Sequence, residues 1–248
     1  MGDYSNHTIR KIVIASGAVT TLAGSAGSSG STNGTGTAAR FKYPRGMTTD
    51  GTNLYVADAN NQMIRKIVIS SGAVTTFAGS GSQGSTDATG TSASFKSPSG
   101  ITTDGTNLYV TDHSNHTIRK IVISTGAVTT LAGTPGTSGS TNGTGAAAKF
   151  SSPHGITTDG TNLYVANNQT IRKIALTGTV TADVELHNLD DDTDATISLA
   201  SSDTGEATVS PTSLTFTEGN WNTAQTVTVT GVNAVSYTHL TLPTNREV

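Results

Sequence analysis

Apolar residues in this chain come in short runs, each interrupted by glycine, asparagine, aspartate or serine before a helical face can build up. The runs are rich in β-branched and aromatic residues and are bounded by turn formers, a pattern that predicts strands. In one stretch Ile101-Thr102-Thr103 is closed by Asp104-Gly105, a pair favoured in tight hairpins. Asn107–Thr111, Thr117–Ser124 and Ala127–Leu131 follow, the last two separated by Thr125-Gly126. Further on, residues 178–234 alternate with period two in Ala195–Leu199, Ser213–Thr217 and Gln225–Thr230. Such alternation predicts half-buried antiparallel strands of a sandwich. The longest aliphatic run, Ile12-Val13-Ile14 and its copies, is too short to cross a bilayer.

The runs repeat. GITTDGTNLYV stands at Gly100–Val110 and Gly155–Val165, and Gly46–Val56 differs from it only by Met47. HTIRKIVI recurs at His7 and His116, with QMIRKIVI at Gln62 and the shortened QTIRKIAL at Gln169. Arg10, Arg65, Arg119 and Arg172 are therefore 55, 54 and 53 residues apart. GAVTTLAG or GAVTTFAG follows at Gly17, Gly72 and Gly126. Four short strands per repeated unit predict propeller blades, with a parallel β-helix or solenoid as the alternative. The unit resembles the NHL repeat, a propeller family named for an Asn-His-Leu triad. The matching positions are Asn6-His7-Thr8 and Asn115-His116-Thr117, while Asn61-Gln62-Met63 and Asn168-Gln169-Thr170 lack the histidine. The resemblance spans roughly residues 3–177 and rests on the whole unit: Pro-x-Gly, the Asp-Gly hairpin, LYVAD and IRKI. It implies a fold rather than an activity, since NHL propellers serve as adhesive, sensory, RNA-binding and enzymatic modules.

Charge divides the chain. Residues 1–177 carry thirteen Lys and Arg against seven Asp, whereas residues 178–234 carry nine acidic residues and no Lys or Arg. A domain border near Leu176 to Gly178 follows. The acidic part, SSDTGEATVSPTSLTFTEGNWNTAQTVTVTGVN above all, resembles Ig-like and Calx-beta-type modules of large bacterial surface proteins, with Trp221 packing at the sandwich edge. Residues 235–248 match neither neighbour; VSYTHLTLPT resembles translated sequencing-adapter read-through, so this tail is expected to be non-native. The expected fold is all-β: an incomplete NHL-like propeller of about 3.5 four-stranded blades over residues 1–177, then a small, partial sandwich over 178–234. The first blade has only its outer half, no signal peptide precedes Asp3, and the chain reads as a piece of a larger protein. With 47 Thr, 27 Ser and 28 Gly but no Cys, it has hydroxyls to spare and neither thiolate metal sites nor a cysteine nucleophile.

Candidate chemistry is sparse. No phosphate loop, metalloprotease motif or serine elbow is present, and no catalytic residue is assigned. The stretches Gly24–Gly36 and Gly133–Gly145 read as loops between blades. His7 and His116 occupy equivalent loop positions and are expected to make structural hydrogen bonds rather than bind metal. The Arg-Lys pairs at 10/11, 65/66, 119/120 and 172/173 read as a solvated blade face, or alternatively as a row that binds polyanions including RNA. In LDDDTD, Asp190, Asp192 and Asp194 can turn carboxylates toward Ca²⁺, the one cofactor considered; a solvated acidic turn is the preferred reading.

The repeats vary at one place. Lys42-Tyr43, Lys96-Ser97 and Ser151-Ser152 precede Pro-x-Gly, whose middle residues are Arg45, Ser99 and His154. Placed before the innermost strand, Tyr43, Arg45, Ser99 and His154 should ring one mouth of the central channel, as a ligand-binding rim or as unconstrained drift. The favoured reading is a non-enzymatic, extracellular or cell-surface binding or adhesion scaffold of bacterial type, with a protein or carbohydrate ligand at the rim. The alternatives are a lactonase- or lyase-type propeller enzyme whose catalytic residues lie in blades outside this sequence, and an RNA-binding propeller, disfavoured by the attached acidic module.

Overall fold

Each blade closes its inner hairpin with the residues that repeat most faithfully. Gly51, Gly105 and Gly160 sit at φ +90°, +92° and +94°, where a Cβ would be strained. The preceding aspartate fixes the turn: Asp50 accepts the N–H of Thr52 at 2.9 Å and of Asn53 at 2.6 Å, the Asn53 side-chain amide at 3.0 Å and the Tyr55 hydroxyl at 3.1 Å. The same set recurs at Asp104 and Asp159. DGTNLY is therefore constant because nearly every residue in it holds the turn.

The computed structural model describes residues 1–176, 179–184, 195–199, 207–217, 223 and 225–231. The chain divides into two units, Met1–Lys173 and Ile174–Val248. In the first, four antiparallel sheets follow one another as propeller blades. Blade 1 is β1 (Gly2–Asp3), β2 (Thr8–Ile12) and β3 (Val19–Ala23). Blade 2 is β4 (Gly34–Thr35), β5 (Pro44–Thr49), β6 (Asn53–Asp58), β7 (Met63–Val68) and β8 (Ala73–Ala78), in the order β4-β8-β7-β6-β5. Blade 3 repeats it with β9 (Ala88–Thr89), β10 (Pro98–Thr103), β11 (Asn107–Asp112), β12 (Thr117–Val122) and β13 (Ala127–Ala132). Blade 4 is β14 (Pro153–Thr158), β15 (Asn162–Asn167) and β16 (Thr170–Ala175).

Two details depart from the sequence expectation. The glycine-rich connection from the preceding blade adds a two-residue fifth strand to the outer edge, β4 on β8 and β9 on β13. The innermost strand begins at the proline, so Arg45, Ser99 and His154 lie within β5, β10 and β14 rather than before them.

Both faces of a blade are buried between neighbours. Val56 and Ile67 of blade 2 pack with Ile9 and Phe41, while Tyr55, Ala57 and Ile64 pack with Phe95, Leu108 and Val110. Burying each such side chain stabilises the fold by about 1.5–3 kcal/mol. The inner strands meet backbone to backbone: a Cβ on Gly46 would stand 2.6 Å from the Ser99 carbonyl oxygen, and one on Gly100 would collide with that of His154.

In the second unit, β17 (Thr179–Val184), β18 (Ala195–Ser198), β19 (Ala207–Ser210), β20 (Ser213–Phe216) and β21 (Gln225–Gly231) form two antiparallel sheets, β17-β21-β19 and β18-β20. Leu214, Phe216 and Ile197 from one sheet share an apolar cluster with Val227 and Val209 from the other. The acidic loop with Asp190, Asp192 and Asp194, Trp221 and the tail 235–248 lie outside the described residues.

Candidate functional site

The blade junctions are built by two groups of repeated residues. Tyr43, Ser97 and Ser152 are left-handed, at φ 56°, 54° and 48°, an uncommon state for residues other than glycine. Their N–H groups donate to His7 Nδ1 at 3.2 Å, Gln62 Oε1 at 2.6 Å and His116 Nδ1 at 3.0 Å in the preceding blade. His7, Gln62 and His116 are themselves left-handed, at φ 59°, 58° and 60°. His7 and His116 are thus structural, and glutamine replaces them because its amide oxygen accepts the same bond.

The second group overturns the solvated-face reading for two arginines of the Arg-Lys pairs, while Lys11 and Lys173 are exposed and Lys66 and Lys120 half-buried. Arg65 and Arg119 are fully buried. Arg65 donates to Asp58 and the Arg40 carbonyl, both at 2.9 Å, to the Thr32 carbonyl at 3.2 Å and to Asn33 Oδ1 at 2.8 Å. Arg119 does the same with Asp112, Ser94, Thr86 and Asp87, and their guanidinium groups lie over Phe41 and Phe95. Each clamps the loop from the preceding blade. Removing one would strand a buried carboxylate, at a cost of about 3–5 kcal/mol. Arg65 and Arg119, so enclosed, cannot themselves meet a polyanion.

Of the expected rim residues, Arg45 and Ser99 meet, while His154 lies at the next junction. His154 is exposed, Tyr43 and Arg45 are half-buried and Ser99 is buried. Arg45 Nη1 donates to Ser99 Oγ at 3.4 Å. Its guanidinium stands 5.6 Å from the centre of the Tyr4 ring, which is 4.7 Å from Tyr43. Tyr43 in turn meets His7 edge-on. At the far junction His154 meets His113, the two Nε2 atoms 3.1 Å apart. Burial, then the charges of His154, Arg45 and His116, lower the pKa of His113 to about 4.

Tyr4 and His113 escaped the sequence reading, although a signal existed. Each directly follows the aspartate of its unit, in Asp3-Tyr4 and Asp112-His113, where blade 2 has Asp58-Ala59. That position varies as the middle of Pro-x-Gly does, and the two stations face each other across a junction. Tyr4 meets Arg45, and His113 meets His154; the equivalents at the middle junction, Ala59 and Ser99, are both buried.

A shallow polar cleft lies beside blade 4, lined by Ser138, Gly139, Ser151, Asn167 and Gln169 among others. In blades 2 and 3, Asn61 and Asn115 donate to the carbonyls of Gly30 and Gly84. In blade 4, where the loop is two residues shorter, Asn167 and Asn168 line the cleft and no such bond to the Gly139 carbonyl is made among the described residues.

The sheets and their junctions define a β-propeller. No family model matches the chain. Human (Homo sapiens) NHL repeat-containing protein 2 is 32% identical over 142 residues, which are 53% of this chain and 20% of that protein. The chain thus spans about a fifth of the length of the curated relatives it matches. A structural genomics protein of unknown function from Bacteroides thetaiotaomicron has a similar fold, with TM-score 0.58 and 27% identity, covering 69% of this chain and 42% of that one. An auxiliary nutrient binding protein from the same species shares the fold at TM-score 0.53 and 20% identity, over 68% of this chain and 43% of its own. Sequence and fold together support NHL-type repeats.

Proposed function

We propose that the chain is a non-enzymatic binding scaffold, part of a larger extracellular or cell-surface bacterial protein, whose propeller rim holds a carbohydrate or protein ligand. The observation that carries this reading is the rim itself: side chains that differ from blade to blade, gathered on a backbone that does not. Tyr4, Tyr43 and Arg45 set a guanidinium beside the Tyr4 ring, which itself packs on Tyr43, a combination suited to an acidic sugar or an acidic side chain. Ser99 anchors Arg45, so the cation is held in place before a ligand arrives. That a neighbour named as an auxiliary nutrient binding protein shares this fold supports the reading. The acidic module 178–234 fits an Ig-like or Calx-beta-type companion domain, and its carboxylates disfavour nucleic acid.

The test is a panel of immobilised acidic and neutral polysaccharides and acidic proteins, probed with the full chain and with a Tyr43→Ala, Arg45→Ala, His154→Ala variant. Binding by the full chain should fall at least about tenfold in the variant, because truncating aromatic and arginine anchors typically costs that much or more. The melting temperature should change little. Equal binding by both proteins would remove the rim from consideration.

A further inference from the structure

We propose that His113 and His154 form a two-histidine seat for a borderline divalent cation of the zinc, nickel or copper class at the mouth of the propeller. Their Nε2 atoms are 3.1 Å apart and come from different blades, one from the turn after β11 and the other from β14. Two nitrogens at that separation, each at the ~2.0–2.1 Å of a zinc–imidazole bond, subtend an angle of about 100° at the metal. That falls between octahedral and tetrahedral values. The ring centres are 4.4 Å apart, too close for the rings to meet head-on along one N–H···N line. The two nitrogens stand side by side, as two ligands of one ion do.

The surroundings suit this role. His113 Nδ1 lies 3.3 Å from Ser114 Oγ. A proton kept on Nδ1 by that hydroxyl leaves the Nε2 lone pair free, the usual orientation of a metal-bound histidine. Imidazole donors favour zinc, copper and nickel, whereas calcium and magnesium prefer oxygen. Among the described residues no third His, Cys, Asp or Glu completes a cluster. The other coordination positions are left for water or an oxygen donor of a ligand, as in open rather than structural sites.

The seat does not depend on the rim reading, and its test uses the metal alone. Zinc sulfate is titrated calorimetrically into the full chain, and copper is added to a parallel sample for electron paramagnetic resonance. A single micromolar zinc site and a copper spectrum with coupling to two nitrogens are expected. His113→Ala and His154→Ala should each weaken zinc binding more than tenfold. His116→Gln should leave it unchanged, since glutamine already fills that place as Gln62. If an alanine variant melts early, His154→Asn repeats the test with a polar side chain of similar reach. No zinc uptake at millimolar concentration, or equal uptake by the His113→Ala, His154→Ala double variant, would overturn the proposal. So would calcium binding equally well to the same pair.

Discussion

Asp50, Asp104 and Asp159 each serve as acceptor for a whole hairpin, and their acidity records it. Slight burial tends to raise Asp50, but the Asn53 side chain, the Asn53 and Thr52 N–H groups and the Tyr55 hydroxyl outweigh it and lower its pKa to about 2. Asp104 is lowered against the same burial by the corresponding donors. At Asp159, the Asn162 side chain leads in lowering the pKa. A carboxyl whose folded pKa lies below its unfolded value of about 3.9 stabilises the fold above that value and ceases to do so as pH falls toward the folded pKa. The melting temperature should therefore drop between about pH 4 and pH 2. An Asp50→Asn, Asp104→Asn variant should melt lower at pH 5 but show a shallower drop; parallel curves would exclude these carboxylates as the source. The turn was legible in the sequence because all its partners lie within five residues. Arg65 was not, since its partners are Asp58 across a hairpin and carbonyls from a loop more than twenty residues earlier. A backbone carbonyl leaves no mark in a sequence.

The innermost strands show how one atom sets the spacing of an element. Gly100 of β10 has no room for a Cβ against the His154 carbonyl, whereas a Cβ on Gly155, its equivalent in β14, would meet only Ala166 Cβ at 3.8 Å. Gly100→Ala should thus destabilise the propeller by about 1–3 kcal/mol, as overpacking does. Gly155→Ala should stay within about 0.5 kcal/mol, as a surface change does. Urea midpoints of the two variants separate the cases, and equal midpoints would mean that the strands are not held apart by backbone contact. Strands and hairpins were predictable at this scale because turn formers and apolar runs are local. The fifth strands β4 and β9 were not, because Gly34–Thr35 acquires its strand character only by pairing with Ala73–Val74. The rim was half legible: Pro-x-Gly variation marked Arg45 and His154, while their partners Tyr4 and His113 stand about forty residues earlier and meet them only when blades stack.

Across the whole propeller unit, burial is uneven. Ile171 of β16 is 71% exposed, whereas Ile118, its equivalent in β12, is fully buried. On blade 1, Ile12, Val13, Ile14 and Val19 are exposed as well. Val56, Leu163 and Val165, by contrast, are buried. Apolar faces of this kind promote association. Sedimentation of the full chain should show mass rising with concentration, and Ile171→Lys with Ile14→Lys should reduce the rise; a concentration-independent monomer would exclude these faces. The junction stations carry a different consequence, for how such a protein changes over generations. Every joint reuses the same arginine clamp and the same His or Gln acceptor, so gaining or losing one repeat leaves the remaining joints intact. What each added repeat brings is one fresh pair of rim residues, free to be an aromatic and a cation, an alanine and a serine, or two histidines. The side chains presented at these stations can be rewritten one joint at a time, without renegotiating the fold.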